Sequence, residues 1–159
     1  MAFDRTLIEK YEAGGEQLAL AIRGLTRDDL LAMPIPGKWS TQQVVIHLMD
    51  SDLVGTDRMK RVIAEDNPTL IGYDESKFVM NLYYEEQSAE DAVKIFDLNR
   101  KMFATILRKL PDSAFDRSGM HNERGKVTLG DQLKGYVNHL EHHLKFIHEK
   151  RAAMGKEMW

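Results

Sequence analysis

Two histidines four residues apart, His139 and His143, lie in the run VNHLEHHLKFIH toward the C-terminal end of the chain. On an α-helix this spacing stacks them one turn apart on one face, close enough to bind a single ion. The chain has six histidines, at positions 47, 121, 139, 142, 143 and 148. Helical angle sorts the four in the run. With Tyr136 at zero and about 100° per residue, Leu129, Leu133, Leu140 and Ile147 fall within about 60° and form a core stripe. His143 lies about 20° to one side of its centre and His139 about 60° to that same side. Lys134, Glu141 and Lys145 fall on the opposite face, and His142 and His148 sit about 120° away on the two flanks. His139 and His143 therefore point inward together. Angle alone leaves two readings of the pair: core histidines bonded to their neighbours, or ligands of one metal ion.

The chain has no cysteine. Any metal must be held by His, Asp or Glu, and any thiol chemistry must use a thiol brought in from outside. An ion held by neutral imidazoles with a position left open lowers the pKa of bound water to about 7. It equally binds a thiol as the thiolate, the nucleophilic form. Hydrolysis and thiol transfer are both within reach of such a centre. Other metal and nucleophile patterns are absent. No Glu stands three residues before any histidine, which excludes the di-iron bundle motif. HExxH, GxSxG and glycine-rich phosphate loops are missing. Glu141 lies between the two inward histidines in sequence but on the opposite face, a poor place for a general base.

These side chains must be positioned by helices. Four hydroxyl residues are followed three places later by a carboxylate or amide, the capping-box pattern: Thr26 with Asp29, Ser40 with Gln43, Ser88 with Asp91 and Thr128 with Asp131. The first opens a short helix, because Pro34 and Pro36 follow. The main helices are predicted over roughly 3–24, 41–66, 89–110 and 129–154. Asn67-Pro68 stops the second, Pro111 the third, and Gly155 the fourth. Strand signals are nearly absent; the best candidate is Lys126-Val127-Thr128. The fold class expected is all-α, a four-helix bundle. The connection from Asn67 to Gln87 is long, is expected to be partly helical around Asp74 to Leu82, and permits a crossover with helices two and three parallel. The loop from Pro111 to Val127, with His121, is long enough to be functional.

Length and composition bound the rest. The 159 residues suit a single domain, 1–159, and 43% hydrophobic with 30% charged residues is ordinary for a globular protein. The net charge of −3, with interspersed signs, argues against a nucleic-acid surface. No apolar run is long enough for a membrane span, and the N-terminus lacks the apolar core of a signal peptide, so a cytoplasmic location is the expectation.

A third ligand must come from another helix. The face of helix two that contains His47 also carries Gln43, Asp50, Ser51, Val54, Arg58 and Arg61. It is mostly polar, and reads either as a solvated stripe or as the wall of an internal polar cleft. Periodicity does not choose between them.

The run GKWSTQQVVIHLMDSD, the later RMKRVIAEDNP, the loop GMHNERGKVTLGDQL and the terminal NHLEHHLKFI occur in an order that resembles the DinB superfamily, in particular its YfiT-like branch, whose members are named for metal-dependent hydrolysis and many of which have no established reaction. The resemblance runs from about Leu31 to Ile147. It implies a four-helix bundle in which three histidines bind one divalent ion, nickel or zinc. Those histidines match His47, His139 and His143, and His121 matches one common in the family's long loop. The resemblance further implies a bacillithiol-like thiol and an electrophile as substrates, and a homodimer. Arg58 and Arg61 could hold anionic groups of such a thiol, or pair with neighbouring acids. Gln132 and Tyr136, on the His143 side of the last helix, could line the pocket. Asp50, one turn from His47, could support a ligand or lie at the surface. The alternative to an enzyme is a non-catalytic bundle that binds a small molecule or partner, with a structural metal or none.

Overall fold

All four hydroxyl residues open helices. In the computed structural model, which describes residues 2–158, Thr26 and Ser40 make full reciprocal boxes with Asp29 and Gln43. Ser88 and Thr128 each accept from the backbone N–H three residues on. They begin α2 (Arg27–Leu31), α3 (Thr41–Ala64), α5 (Ala89–Lys109) and α6 (Leu129–Ala153). α1 (Thr6–Ala21) precedes them, and α4 (Glu75–Asn81), capped by Asp74, lies in the long connection. The expected helix ends agree with these to within three residues.

α1 and α3 each pack against both α5 and α6, so α1 and α3 occupy one diagonal of the bundle and α5 and α6 the other. Cross-links give the directions. Arg108, near the end of α5, bonds Glu9 near the start of α1, so those two helices are antiparallel. Arg151, near the end of α6, bonds the Ala21 and Arg23 carbonyls at the end of α1, so these are parallel. Gln42, at the start of α3, donates to the Gln87 carbonyl just before α5, and Asp52 meets Arg100 further along. α3 and α5 are therefore parallel, and the chain between them is a crossover, as its length permits.

The four-helix bundle carries one addition that the sequence reading did not contain. β1 (Thr69–Leu70), β2 (Ser118–His121) and β3 (Gly125–Thr128) form a small sheet in that order. β1 runs parallel to β2, and β3 antiparallel to it. The candidate Lys126-Val127-Thr128 lies in β3. The hairpin turns through Asn122–Arg124 onto Gly125, whose φ of 78° suits a residue without Cβ. The sheet fastens the crossover to the loop before α6: Met120 N–H donates to the Pro68 carbonyl at 2.8 Å, and Asn122 N–H to that of Leu70 at 2.9 Å.

The core has two apolar clusters, one around Val45, Leu48, Phe96 and Leu140, the other around Tyr11, Met59, Phe103 and Leu133. No helix among the described residues is long and apolar enough to cross a membrane.

Candidate metal centre

His47 stands in a stretch of α3, residues 41 to 49, in which every residue is buried. The reason is tertiary. Besides α5 and α6, this end of α3 is covered by α2, by α4 and by the 3-10 turn Tyr84–Glu86. The polar side chains there are spent on the covering chain: Gln42 donates to the Tyr84 carbonyl at 2.8 Å and Gln43 to the Glu85 carboxylate at 2.8 Å. The reading of this face as a solvated stripe does not hold for His47, which is 1% exposed.

His139 and His143 approach from α6. The Nε2 atoms of His47 and His139 are 3.1 Å apart. Ring centroids lie 4.8 Å apart for His47 and His143, and 4.6 Å for His139 and His143. One nitrogen from each of the three lies within 4.8 Å of the others. Burial, and then the neighbouring imidazole, push His47 and His139 down to about 4 and His143 down to about 3. All three are therefore neutral near pH 7 with lone pairs available, the state a metal ligand requires. The Nδ1 atom of each is buried without a protein partner among the described residues. Aromatic rings pack against two of them: Trp39 sits edge-on to His47 at 5.2 Å, and Phe146 against His143 at 5.9 Å.

A cleft of about 550 Å³ opens beside the histidines, with His139 in its wall. α6 contributes Tyr136 and Gln132, α3 contributes Ser51 and Arg58, the crossover contributes Tyr73 and Glu75, and the β2–β3 hairpin contributes His121 and Arg124. Gly55 makes part of this arrangement possible: a Cβ there would lie 2.3 Å from the Tyr136 ring. The polar face of α3 does border an internal cleft, but His47 stands behind it.

The other candidates separate. Gln132, Tyr136 and Arg58 line the cleft. Arg61 does not: it pairs along the outside of α3 with Asp57 at 3.0 Å and Glu65 at 3.5 Å. Asp50 is turned to the crossover and accepts from the Tyr84 hydroxyl at 2.6 Å, so it is neither a bare surface acid nor aimed at the histidines. His142 is a ring neighbour of His143 and Phe146, outside the three-histidine cluster. His121, whose role was open, lies buried in the cleft wall.

Sequence reasoning missed Glu75, whose Oε2 comes within 3.7 Å of His47 Nε2. It is the first residue of α4. A partly helical connection was expected around Asp74 to Leu82, but no periodicity connects that helix to His47. Tyr73, which shares a hydrogen bond with Ser51, was missed for the same reason.

Comparison with known proteins agrees with this geometry. A relative in Oceanobacillus iheyensis, named "putative metal-dependent hydrolase", is 32% identical over 111 residues, covering 70% of this chain but only 64% of the relative. One of the same name in Bacillus mycoides is 28% identical over 147 residues, covering 92% and 84%. The solved structure of YfiT from Bacillus subtilis, described as having an unusual four-helix bundle topology, superposes with a TM-score of 0.89 at 27% identity, covering 95% of this chain and 87% of YfiT. The DinB superfamily model matches residues 10–147, a span that contains all three clustered histidines and both walls of the cleft, and the chain belongs to that superfamily, alongside its YfiT-like proteins.

Proposed function

We propose that the chain is a metal-dependent enzyme in which His47, His139 and His143 hold one divalent ion, nickel or zinc, and the adjoining cleft presents a small-molecule substrate to it. The observation that carries this reading is the meeting of three neutral imidazoles, one of which, His139, lines an open polar cleft. Structural metal sites are closed by four protein ligands, whereas catalytic sites keep a position for water or substrate. The donor set fits an intermediate ion such as nickel or zinc, which imidazole suits.

A bound ion supplies Lewis-acid activation of a nucleophile and its electrophile. The protein does the rest. Glu75 places a carboxylate beside the histidines, where it can take the proton that the nucleophile gives up. Burial keeps the imidazoles from competing for that proton. The names of the relatives support hydrolysis, in which water adds to the substrate and Glu75 returns the proton to the leaving group. A cleft of about 550 Å³ has room for two reactants, which supports a second reading. In it an external bacillithiol-like thiol loses its proton to Glu75, its sulfur bonds the electrophilic carbon, and the leaving group departs with the electron pair.

Metal analysis of purified protein, followed by assays of hydrolysis and of thiol addition to an aryl halide with each divalent ion, tests the proposal. One ion per chain is expected, and His143→Ala should lose both ion and activity. A chain that takes up no ion at micromolar concentration, or a variant that keeps its activity, would end it.

A further inference from the structure

Among the described residues the bundle buries three guanidinium groups, and two of them are accounted for within the fold. Arg100 is gripped by both oxygens of Asp52, at 2.6 and 3.0 Å. Arg151 donates to the Ala21 and Arg23 carbonyls where α1 ends, and to the Lys156 carbonyl. The end of a helix is a place of partial negative charge. Arg58, 8% exposed, differs. Its Nε and Nη2 donate to the Ile71 carbonyl at 3.1 and 2.6 Å, and Nη1 to the Tyr136 hydroxyl at 3.4 Å. No carboxylate pairs with it among the described residues. A guanidinium has five N–H donors and a permanent charge, so Arg58 brings unspent donors and an uncompensated cation to the cleft wall.

His121 adds an independent sign. It is 5% exposed, and its Nδ1 accepts from the backbone N–H groups of Glu123 and Arg124 at 3.1 and 3.3 Å. A nitrogen that accepts carries no proton, so the neutral ring carries its proton on Nε2. That Nε2 is buried with no partner among the described residues, and the ring lines the cleft. Gln132 Nε2, in the same wall, is likewise a buried donor without a partner. A buried donor without an acceptor is costly, and two such donors beside an unpaired cation around one cleft point to a shared acceptor from outside. The acids that also border the cleft, Asp74, Glu75, Glu123 and Asp131, are all exposed.

We infer that Arg58, His121 and Gln132 form a subsite for one anionic group, a carboxylate or a phosphate, on the molecule that occupies the cleft. The inference takes the cleft as a substrate pocket from the proposed function, but it does not need the ion. Arg124, exposed on the same hairpin, supplies a second positive charge at the mouth. Gln132 lies two turns before His139 on α6, about 10 Å along the helix. The substrate class is thus an elongated small molecule, anionic at one end and reactive at the other.

The test is a titration of metal-free and metal-loaded protein with inorganic phosphate and, separately, with succinate. It is followed by NMR of the arginine Nε–H and histidine Nε2 signals. Saturable shifts at Arg58 and His121 are expected in both forms, and the tighter anion identifies the class. Arg58→Gln should weaken binding by about tenfold or more, the loss of a charge-assisted contact. His121→Asn keeps an acceptor for the two backbone N–H groups and removes only the Nε2 donor, so it decides the matter if Arg58→Gln does not fold. His143→Ala should bind the anion as before, which separates failure of the metal reading from failure of this one. A titration that never saturates, or equal affinity in wild type, Arg58→Gln and His121→Asn, would overturn the subsite.

Discussion

The bundle contains two buried polar constellations less than two turns apart along α3, and they are built on opposite principles. At Asp52 and Arg100 every strong group finds a partner. The carboxylate takes two guanidinium bonds, Arg100 also donates to the Tyr11 and Tyr136 carbonyls at 3.2 and 3.0 Å, and the Tyr11 and Phe96 rings pack on it at 4.5 and 4.4 Å. At His47, His139 and His143 partners are missing: three neutral rings converge, and each Nδ1 is unpaired within the protein. A charge pair that satisfies itself joins α3 to α5, with further bonds to α1 and α6, and asks for nothing from outside. A cluster of neutral rings with unpaired nitrogens is open to a partner from outside. The difference separates a structural polar core from a ligand site, although both are buried and both are made of titratable side chains.

The largest expected effect comes from breaking the satisfied pair. Asp52→Ala would leave the Arg100 guanidinium buried without its counter-charge, at a cost of about 3–5 kcal/mol. Urea unfolding of metal-free protein should show this as a lower midpoint. The corresponding replacement at the other region, His143→Leu, removes an unsatisfied group and should leave the metal-free midpoint nearly unchanged. Equal losses in the two variants would erase the distinction between the regions.

A smaller effect should appear with pH. The ordinary histidine value is 6.5, and the folded chain holds His47 and His139 down to about 4 and His143 to about 3. Between these values the unfolded chain binds more protons than the folded one, so stability falls as pH falls through that window. The slope is about 1.4 kcal/mol per pH unit for each histidine at most. Metal-free protein should therefore melt progressively lower from about pH 7 to about pH 5, and His47→Leu should flatten part of the decline. A profile already flat in the wild type would mean that the rings are not held neutral by burial.

What the sequence disclosed follows from the range of the interactions involved. Helix starts were legible at Thr26, Ser40, Ser88 and Thr128 because a cap and its partner lie three residues apart. The inward pair was legible because His139 and His143 share one helix and its angle. His47 was not, since its burial is caused by α2, α4 and the 3-10 turn, none of which its own periodicity reports. The sheet was missed for a like reason. β1 has two residues and its partner lies about fifty positions away, too short for any alternation to register. Lys126-Val127-Thr128 was the one strand candidate, and a lone short strand does not announce the two partners that bind it to the crossover.

Arg58 and Arg61 give the finest form of the same lesson, and the smallest predicted effect. They lie three residues apart on α3, about 60° around its axis, and pattern alone makes them equivalent. The structure puts Arg58 under the crossover, bonded to the Ile71 carbonyl, while Arg61 lies half-exposed between Asp57 and Glu65 on its own helix. An exposed pair at i,i+4 spacing contributes about 0.3–0.5 kcal/mol and weakens with salt. Arg61→Ala should therefore shift the unfolding midpoint barely at all, less still at high salt, and should leave metal uptake and turnover at wild-type values. A loss of turnover in Arg61→Ala comparable to that in Arg58→Gln would show that the cationic wall extends beyond the cleft. The wild-type behaviour expected instead would place its boundary within one turn of α3.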